Sequence, residues 1–292
     1  MPLPNFILAG APKSGSSAFW HYLRQHPDVY FPDEKEPFFF DFKFDKGVDW
    51  YASKFDGHHG ETAVGEATVW YMRWKEVPAR MHSVLPDVKL IFLLRHPTDR
   101  AYSNFNHDYR DGRYPYDLTF SEFVRSEGQD DRGIVMGGFY DVHLDRFRRF
   151  YPDDQMLVLL TDDLRRDRDG VLRRTFEFLG VDPDFRPEDT EKRNVSWWVS
   201  GTGALRAFDR VWQPVQRATG WSPTRKLWKE SRHFRQLFFD RESRPPPMLP
   251  DDRAYLNALY RPHIERLARQ IGRPLTEWGL PSDGEAPEAR TS

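Results

Sequence analysis

The feature that most constrains this chain is an apolar strand that runs directly into a polar loop and a helix. Residues 6–9 form a short apolar run, which is typical of a fully buried strand. Residues 13–17 are small and polar apart from one lysine, and helical spacing of apolar residues begins after them. We expect Ser16 or Ser17 to cap this helix.

Strand, loop and helix in immediate succession form a cradle for an anion. The backbone N–H groups of the loop and the N-terminus of the helix converge on one point, where the helix dipole favours negative charge. Lys13 adds a full positive charge at that point. The backbone donors come from the four residues that follow it: Ser14, Gly15, Ser16 and Ser17.

This loop differs from the phosphate-binding loop of nucleotide triphosphatases, G-x-x-x-x-G-K-[ST]. Aligning Lys13 and Ser14 with its last two residues requires glycines at positions 7 and 12, where the chain has Ile7 and Pro12. Two interpretations therefore stay open for the loop alone. It is either a phosphate cradle of another kind or a turn between strand and helix with an exposed lysine.

A second cationic residue follows another strand. Residues 88–94 are apolar on both faces, as a central parallel strand requires, and Arg95 comes next. Its planar guanidinium can bind a phosphate through two hydrogen bonds, whereas a triphosphatase would often place a magnesium-binding aspartate there. Ser103 lies eight residues further on, two turns into the following helix, where its hydroxyl could bind the same phosphate. The alternative for Arg95 alone is a surface cation.

Lys13 and Arg95 both follow strands of one predicted parallel sheet. The carboxyl ends of such strands share one edge of the sheet, and ligands bind at that edge in open α/β folds. The pair therefore favours a ligand site over two unrelated surface cations.

Glu36 is a candidate general base. It precedes Pro37 and the aromatic run 38–40, which can partly remove its carboxylate from water. Desolvation raises the pKa of a carboxylate and makes it a better base near neutrality. A solvated acidic loop residue is the competing interpretation, and the residues around Glu36 leave both open.

Composition and charge exclude several classes of protein. The net charge is −2, so a generally basic nucleic-acid-binding protein is not indicated. The absence of cysteine excludes disulfides, thiolate metal sites and cysteine nucleophiles. The first residues lack the basic and apolar regions of a signal peptide, and no stretch approaches the length of a transmembrane helix. We therefore expect a cytoplasmic protein; its oligomeric state is not indicated.

Strands alternate with helices as far as about residue 180, which predicts an α/β fold with a central parallel sheet flanked by helices. We expect residues 1–281 to form a single domain. Residues 191–250 are rich in tryptophan and basic residues, which fits either a helical layer over the sheet or an acceptor-site lid. A last amphipathic helix over residues 252–271 would provide a helical C-terminal cover, and the polar tail 282–292 is expected to be disordered.

Taken together, residues 6–278 resemble a sulfotransferase that uses 3′-phosphoadenosine 5′-phosphosulfate (PAPS). The chain is most similar to the branch that contains heparan sulfate sulfotransferases and their bacterial relatives. The resemblance rests on residues 12–17 and 95–103, with support from 36–39 and 46–51.

The resemblance implies a P-loop-like fold, PAPS as co-substrate, a hydroxyl-bearing acceptor and no metal. It assigns Lys13 and the loop Ser14, Gly15, Ser16 and Ser17 to the 5′-phosphosulfate. Arg95 and Ser103 are assigned to the 3′-phosphate. Lys13 would stabilise the leaving phosphate, and Glu36 would act as the base.

The sequence departs from this family pattern in two places. Many relatives carry a lysine after the acid that Glu66 matches, and this chain has Ala67. The cysteine-bounded substrate loop of the heparan enzymes is impossible without cysteine. The expected acceptor is therefore a hydroxyl of a small molecule, lipid or sugar. A nucleotide-dependent kinase or ATPase, which predicts magnesium dependence, and a non-catalytic nucleotide-binding module remain as alternatives.

Overall fold

The computed structural model describes residues 3–115, 117–126, 133–188 and 247–279, with the isolated positions 198–199, 211, 231, 239–240 and 245. The predicted tail 282–292 and most of the predicted lid 191–250 lie outside these residues. The chain divides into two compact units. The first comprises Met1–Arg100, Gly137–Asp189 and Leu259–Ser292, and the second comprises Ala101–Met136 and Thr190–Ala258. The single domain over residues 1–281 stays a prediction.

The first unit contains a five-stranded parallel sheet. Its strands are β1 (Phe6–Gly10), β2 (Val29–Tyr30), β3 (Ala63–Glu66), β4 (Lys89–Leu94) and β5 (Met156–Leu160). Their order is β2-β3-β1-β4-β5, and every neighbouring pair is parallel. All five residues of the central strand β1 are buried, as an unbroken apolar run predicts. This sheet confirms the predicted α/β fold.

Ten α-helices lie within the described residues. They are α1 (Ser16–Leu23), α2 (Phe39–Phe42), α3 (Gly47–Ala52), α4 (Val77–Val84), α5 (Pro97–Arg110), α6 (Phe120–Arg125), α7 (Tyr140–Arg148), α8 (Thr161–Arg166), α9 (Arg168–Leu179) and α10 (Pro250–Gln270). Short 3₁₀ helices span Phe44–Lys46, Ser53–Phe55, Tyr71–Arg73, Met136–Gly138, Asp153–Gln155 and Thr276–Trp278. None of the helices described is both long enough and apolar enough to cross a membrane.

The second unit contains α6 and a two-stranded antiparallel ribbon. The helices α5 and α10 each have some residues in the first unit and the rest in the second. The ribbon pairs β6 (Trp198–Val199) with β7 (Phe239–Asp240). In the first unit, α10 buries Tyr260, Ile264 and Leu267, as its predicted apolar stripe requires.

The core of the first unit packs β1 against α1. Phe6 and Leu8 point from the strand into a cluster that includes Phe19 and Leu23 of the helix. Fully burying a large apolar side chain contributes roughly 1.5–3 kcal/mol, so this cluster fixes the helix on the strand. The loop between the two elements is therefore held from both ends.

Candidate active site

The loop between β1 and α1 has the backbone geometry of an anion cradle. Gly15 is the N-cap of α1 and has a φ of 90°, in the left-handed region that favours glycine. The prediction that Ser16 or Ser17 caps the helix is wrong, because the helix begins one residue earlier. Both serines therefore lie in its first turn, and no side-chain cap is present.

Hydrogen bonds join the loop to the ends of two neighbouring strands. Arg95 Nη1 donates to the Lys13 carbonyl at 3.3 Å. The Thr161 hydroxyl, which directly follows β5, lies 2.6 Å from the Ser14 carbonyl and 2.9 Å from the Leu94 carbonyl. Lys13 itself has a φ of 67°, which is uncommon for a residue with a side chain and is often found at functional sites.

These residues open on a cavity of about 680 Å³ in the first unit. Its volume is typical of small-molecule and cofactor sites. The wall includes Ser14 and Gly15 of the cradle. It also carries four arginines and two aspartates: Arg95, Arg165, Arg166, Arg168, Asp167 and Asp169. The surplus of positive charge favours a ligand with several negative charges.

Two buried polar atoms at this cavity fit such a ligand. Ser14 Oγ and Arg95 Nε form no hydrogen bond of standard geometry within the part of the chain that the structure describes. The Tyr140 hydroxyl lies close enough to interact with Ser14, whereas Arg95 Nε is a buried donor whose cost a phosphate oxygen would remove. Burial lowers the pKa of Arg95, but a guanidinium stays charged at neutral pH. The residues present therefore suit a phosphate group.

Glu36 lies in a segment that is tied to the cradle helix. Burial raises the pKa of its carboxyl, and the Lys35 charge and the Val69 backbone N–H oppose that rise. The Ala67 N–H donates to the Lys35 carbonyl at 3.2 Å, at the end of β3. Lys35 Nζ donates to Ser17 Oγ at 3.0 Å. The predicted partial desolvation of the carboxylate is therefore present.

A second, fully buried carboxyl supports the same segment. Glu66 accepts hydrogen bonds from the Tyr51 hydroxyl at 3.0 Å and from the Thr68 hydroxyl at 2.6 Å. Burial raises the pKa of Glu66 to about 7. The Tyr71 hydroxyl, another hydrogen-bonding neighbour of this carboxyl, accepts the Phe39 N–H at 2.9 Å. The network therefore extends to the helix that follows the candidate base.

Three of the eight predicted site residues line this cavity, and a fourth joins them through its backbone. The lining residues are Ser14, Gly15 and Arg95, and Lys13 is the fourth. Ser103 lies in α5, within the second unit, and is not among the residues that line the cavity. Its assignment to a phosphate stays a prediction.

The sequence prediction missed Thr161 and the three arginines that follow β5. Thr161 could have been found from the sequence, since it comes directly after the apolar run of β5, at the same sheet edge as Lys13 and Arg95. Lys35 and Glu66 were also missed as site residues, because their contacts depend on tertiary packing.

An anion cradle and an arginine at the carboxyl edge of one parallel sheet are typical of α/β proteins that bind phosphate groups. The sulfotransferase domain family matches residues 3–198, and the chain belongs to this family.

Three known proteins show how far the similarity extends. The crystal structure of a sulfotransferase from Alicyclobacillus acidocaldarius covers 96% of this chain and is itself fully covered, with a TM-score of 0.70 and 28% identity. The bifunctional heparan sulfate N-deacetylase/N-sulfotransferase 4 of Mus musculus is 26% identical over 94% of this chain and 31% of its own length. The heparan sulfate glucosamine 3-O-sulfotransferase 3B1 of Homo sapiens is 34% identical over 61% of this chain and 46% of its own length. The chain thus spans less than half the length of these two curated relatives.

Proposed function

We propose that this chain is a PAPS-dependent sulfotransferase that transfers a sulfuryl group to a hydroxyl of a small molecule, lipid or sugar. The observation that carries the proposal is the cavity in which the cradle residues Ser14 and Gly15 meet Arg95. Family membership and the sulfotransferase activities of the two heparan sulfate relatives support sulfuryl transfer. The 3-O-sulfotransferase activity of the human relative supports a sugar hydroxyl as one member of the acceptor class.

When bound, PAPS supplies the sulfuryl group and the 5′-phosphate leaving group. The loop N–H groups of residues 14–17 and the ammonium of Lys13 would bind the phosphosulfate. Fixed donors of this kind stabilise the negative charge that develops on a leaving oxygen. Arg95 would bind the 3′-phosphate through its guanidinium, with Ser103 as a second donor predicted by the sequence.

Glu36 would act as the general base and accept the proton of the acceptor hydroxyl. Burial raises the pKa of its carboxyl, which brings this group closer to the pH at which a base is most effective. The nearby Lys35 charge favours the ionised form, so the carboxyl remains able to accept a proton.

Calorimetric titration with 3′-phosphoadenosine 5′-phosphate tests the donor site. Adenosine 5′-phosphate and ATP with magnesium serve as controls, and binding should require the 3′-phosphate. Arg95→Ala should weaken binding by roughly 30-fold, since a hydrogen bond to a charged group contributes about 2 kcal/mol. Arg95→Lys should recover only part of this affinity because lysine lacks the planar fork.

Arg173→Ala is the matched control, since Arg173 is an exposed arginine on α9 whose side chain pairs with Glu177. Equal binding of all three nucleotides, or none, would overturn the proposal. The family match does not favour the kinase or ATPase alternative. A non-catalytic module would bind 3′-phosphoadenosine 5′-phosphate yet transfer sulfuryl to none of the alcohols, sterols and sugars in an acceptor screen.

A further inference from the structure

The ammonium group of Lys35 lies at the anion cradle although its backbone belongs to the segment of the candidate base. Lys35 Nζ donates a hydrogen bond to Ser17 Oγ, in the first turn of α1, at 3.0 Å. The Lys35 carbonyl accepts the Ala67 N–H at 3.2 Å, which fixes the point where the side chain begins. The side chain therefore bridges two parts of the site.

Within the described residues this ammonium forms no ion pair with a carboxylate, and its hydrogen bond goes to Ser17. The Trp20 ring lies on one side, with its centroid 5.9 Å from Nζ. Burial lowers the pKa of Lys35, and the neighbouring Glu36 opposes this change. Glu36 acts on this partly buried positive charge without forming an ion pair with it, so the charge can also attract an anion at the cradle.

The contact also sets the role of the Ser17 hydroxyl. A serine hydroxyl has one proton to donate and accepts through its lone pairs. Because an oxygen lone pair already accepts from Lys35, the O–H of Ser17 is available to an anion at the helix N-terminus.

We propose that Lys35 is a positioning residue of the sulfuryl-transfer site, which orients the Ser17 hydroxyl toward the phosphosulfate and places a positive charge beside Glu36. This inference rests on the proposed function. It adds a residue that links the donor loop to the candidate base through one side chain.

Three lysine variants test the inference. Lys35→Met removes the charge and keeps the length, Lys35→Arg keeps the charge, and Lys75→Met is the control because Lys75 is 80% exposed. Each is titrated calorimetrically with 3′-phosphoadenosine 5′-phosphate. The titration of the Glu36 carboxyl is followed by ¹³C NMR, with Glu36→Gln identifying its signal.

Lys35→Met should lose about tenfold in affinity, as expected for a partly exposed charged hydrogen bond. It should also move the Glu36 titration to higher pH, because the ionised carboxylate loses a nearby positive charge. Lys35→Arg should restore most of both properties. A role in packing alone would not move the Glu36 titration and would not depend on charge.

Ser17→Ala provides a second test on an exposed residue. In that background Lys35→Met should cost only about twofold in affinity, because the two changes remove the same interaction. An unchanged tenfold loss, or a Lys35→Met variant that matches Lys75→Met in both assays, would overturn the inference. Failure of the wild type to prefer 3′-phosphoadenosine 5′-phosphate over adenosine 5′-phosphate would instead overturn the proposed function itself.

Discussion

The buried carboxyl of Glu66 should make the protein less stable as the pH rises toward neutrality. Its pKa is raised from 4.5 to about 7, chiefly by burial at the end of β3. The folded protein therefore keeps a proton that the unfolded chain releases. The resulting stabilisation is complete below about pH 4.5 and is lost as the pH rises through about 7. Because a difference of one pKa unit corresponds to about 1.4 kcal/mol, protonated Glu66 contributes about 3 kcal/mol in total to the free energy of unfolding.

Glu66→Gln isolates this contribution because glutamine keeps the shape and can still accept from Thr68, but does not titrate. Urea unfolding at pH 5 and pH 8 measures the free energy of unfolding of both proteins. The decrease between these two pH values should be about 2–3 kcal/mol larger for the wild type than for Glu66→Gln, slightly less than the full contribution because the unfolded chain is already largely ionised at pH 5. Glu177→Gln, at an exposed position on α9, controls for the loss of one carboxylate.

An equal pH dependence in wild type and Glu66→Gln would refute this reasoning. It would mean that Glu66 is ionised in the folded protein at pH 5, with its hydrogen bonds outweighing the cost of burial. The donors are present for such an outcome, since the Tyr51 and Thr68 hydroxyls and the Thr68 N–H all contact the carboxyl. The experiment therefore decides between desolvation and hydrogen bonding as the dominant effect.

Two further substitutions distinguish a residue that stabilises the cradle from one that shapes it for the ligand. Thr161→Val should lower the free energy of unfolding by about 1–2 kcal/mol, because two backbone carbonyls lose their shared hydroxyl donor. In Thr175→Val the hydroxyl bonds only within its own helix, so urea unfolding should show a smaller loss, and equal losses would contradict the expectation. Gly15→Ala should cost about 1 kcal/mol, because its φ of 90° is strained for alanine although the nearest atom is 3.8 Å from the new Cβ. Calorimetry should show weaker 3′-phosphoadenosine 5′-phosphate binding for Gly15→Ala. Gly180→Ala is the control, since Gly180 has a similar φ of 82° at the end of α9, and its binding should not change. Equal affinities of the two variants would contradict this expectation.

The central strands could be predicted because their environment leaves a simple pattern. Strands β1 and β4 are buried on both faces, so their residues form continuous apolar runs rather than alternating ones. The start of α1 could not be placed as well, because serine and glycine are both common at the N-cap. The φ of Gly15, which settles that position, depends on how β1 and α1 pack.

The charged groups of the site were easier to predict than their supports. Arg95 follows an apolar run directly and Lys13 follows one within three residues of the end of β1, so their position at the carboxyl edge of the sheet is a local property of the sequence. The bond from Lys35 to Ser17 joins residues 18 positions apart, on separate elements, and no local pattern predicts it. The burial of Glu66 depends on aromatic residues contributed by two other segments.

The strand order explains why local signals were sufficient for so much of the site. In the order β3-β1-β4-β5, four strand ends lie side by side, and each contributes one group to the same edge. The ends of β1 and β4 contribute charged residues, whereas the residues after β3 and β5 contribute a backbone N–H from Ala67 and a hydroxyl from Thr161. Lys13 and Arg95 thus follow the two inner strands. The Thr161 hydroxyl holds the Ser14 carbonyl from one side, and the Ala67 N–H holds the segment of Glu36 on the other. Because the Thr161 hydroxyl is neutral, it satisfies the Ser14 carbonyl without adding a charge that would compete with Lys13 and Arg95 for the anion.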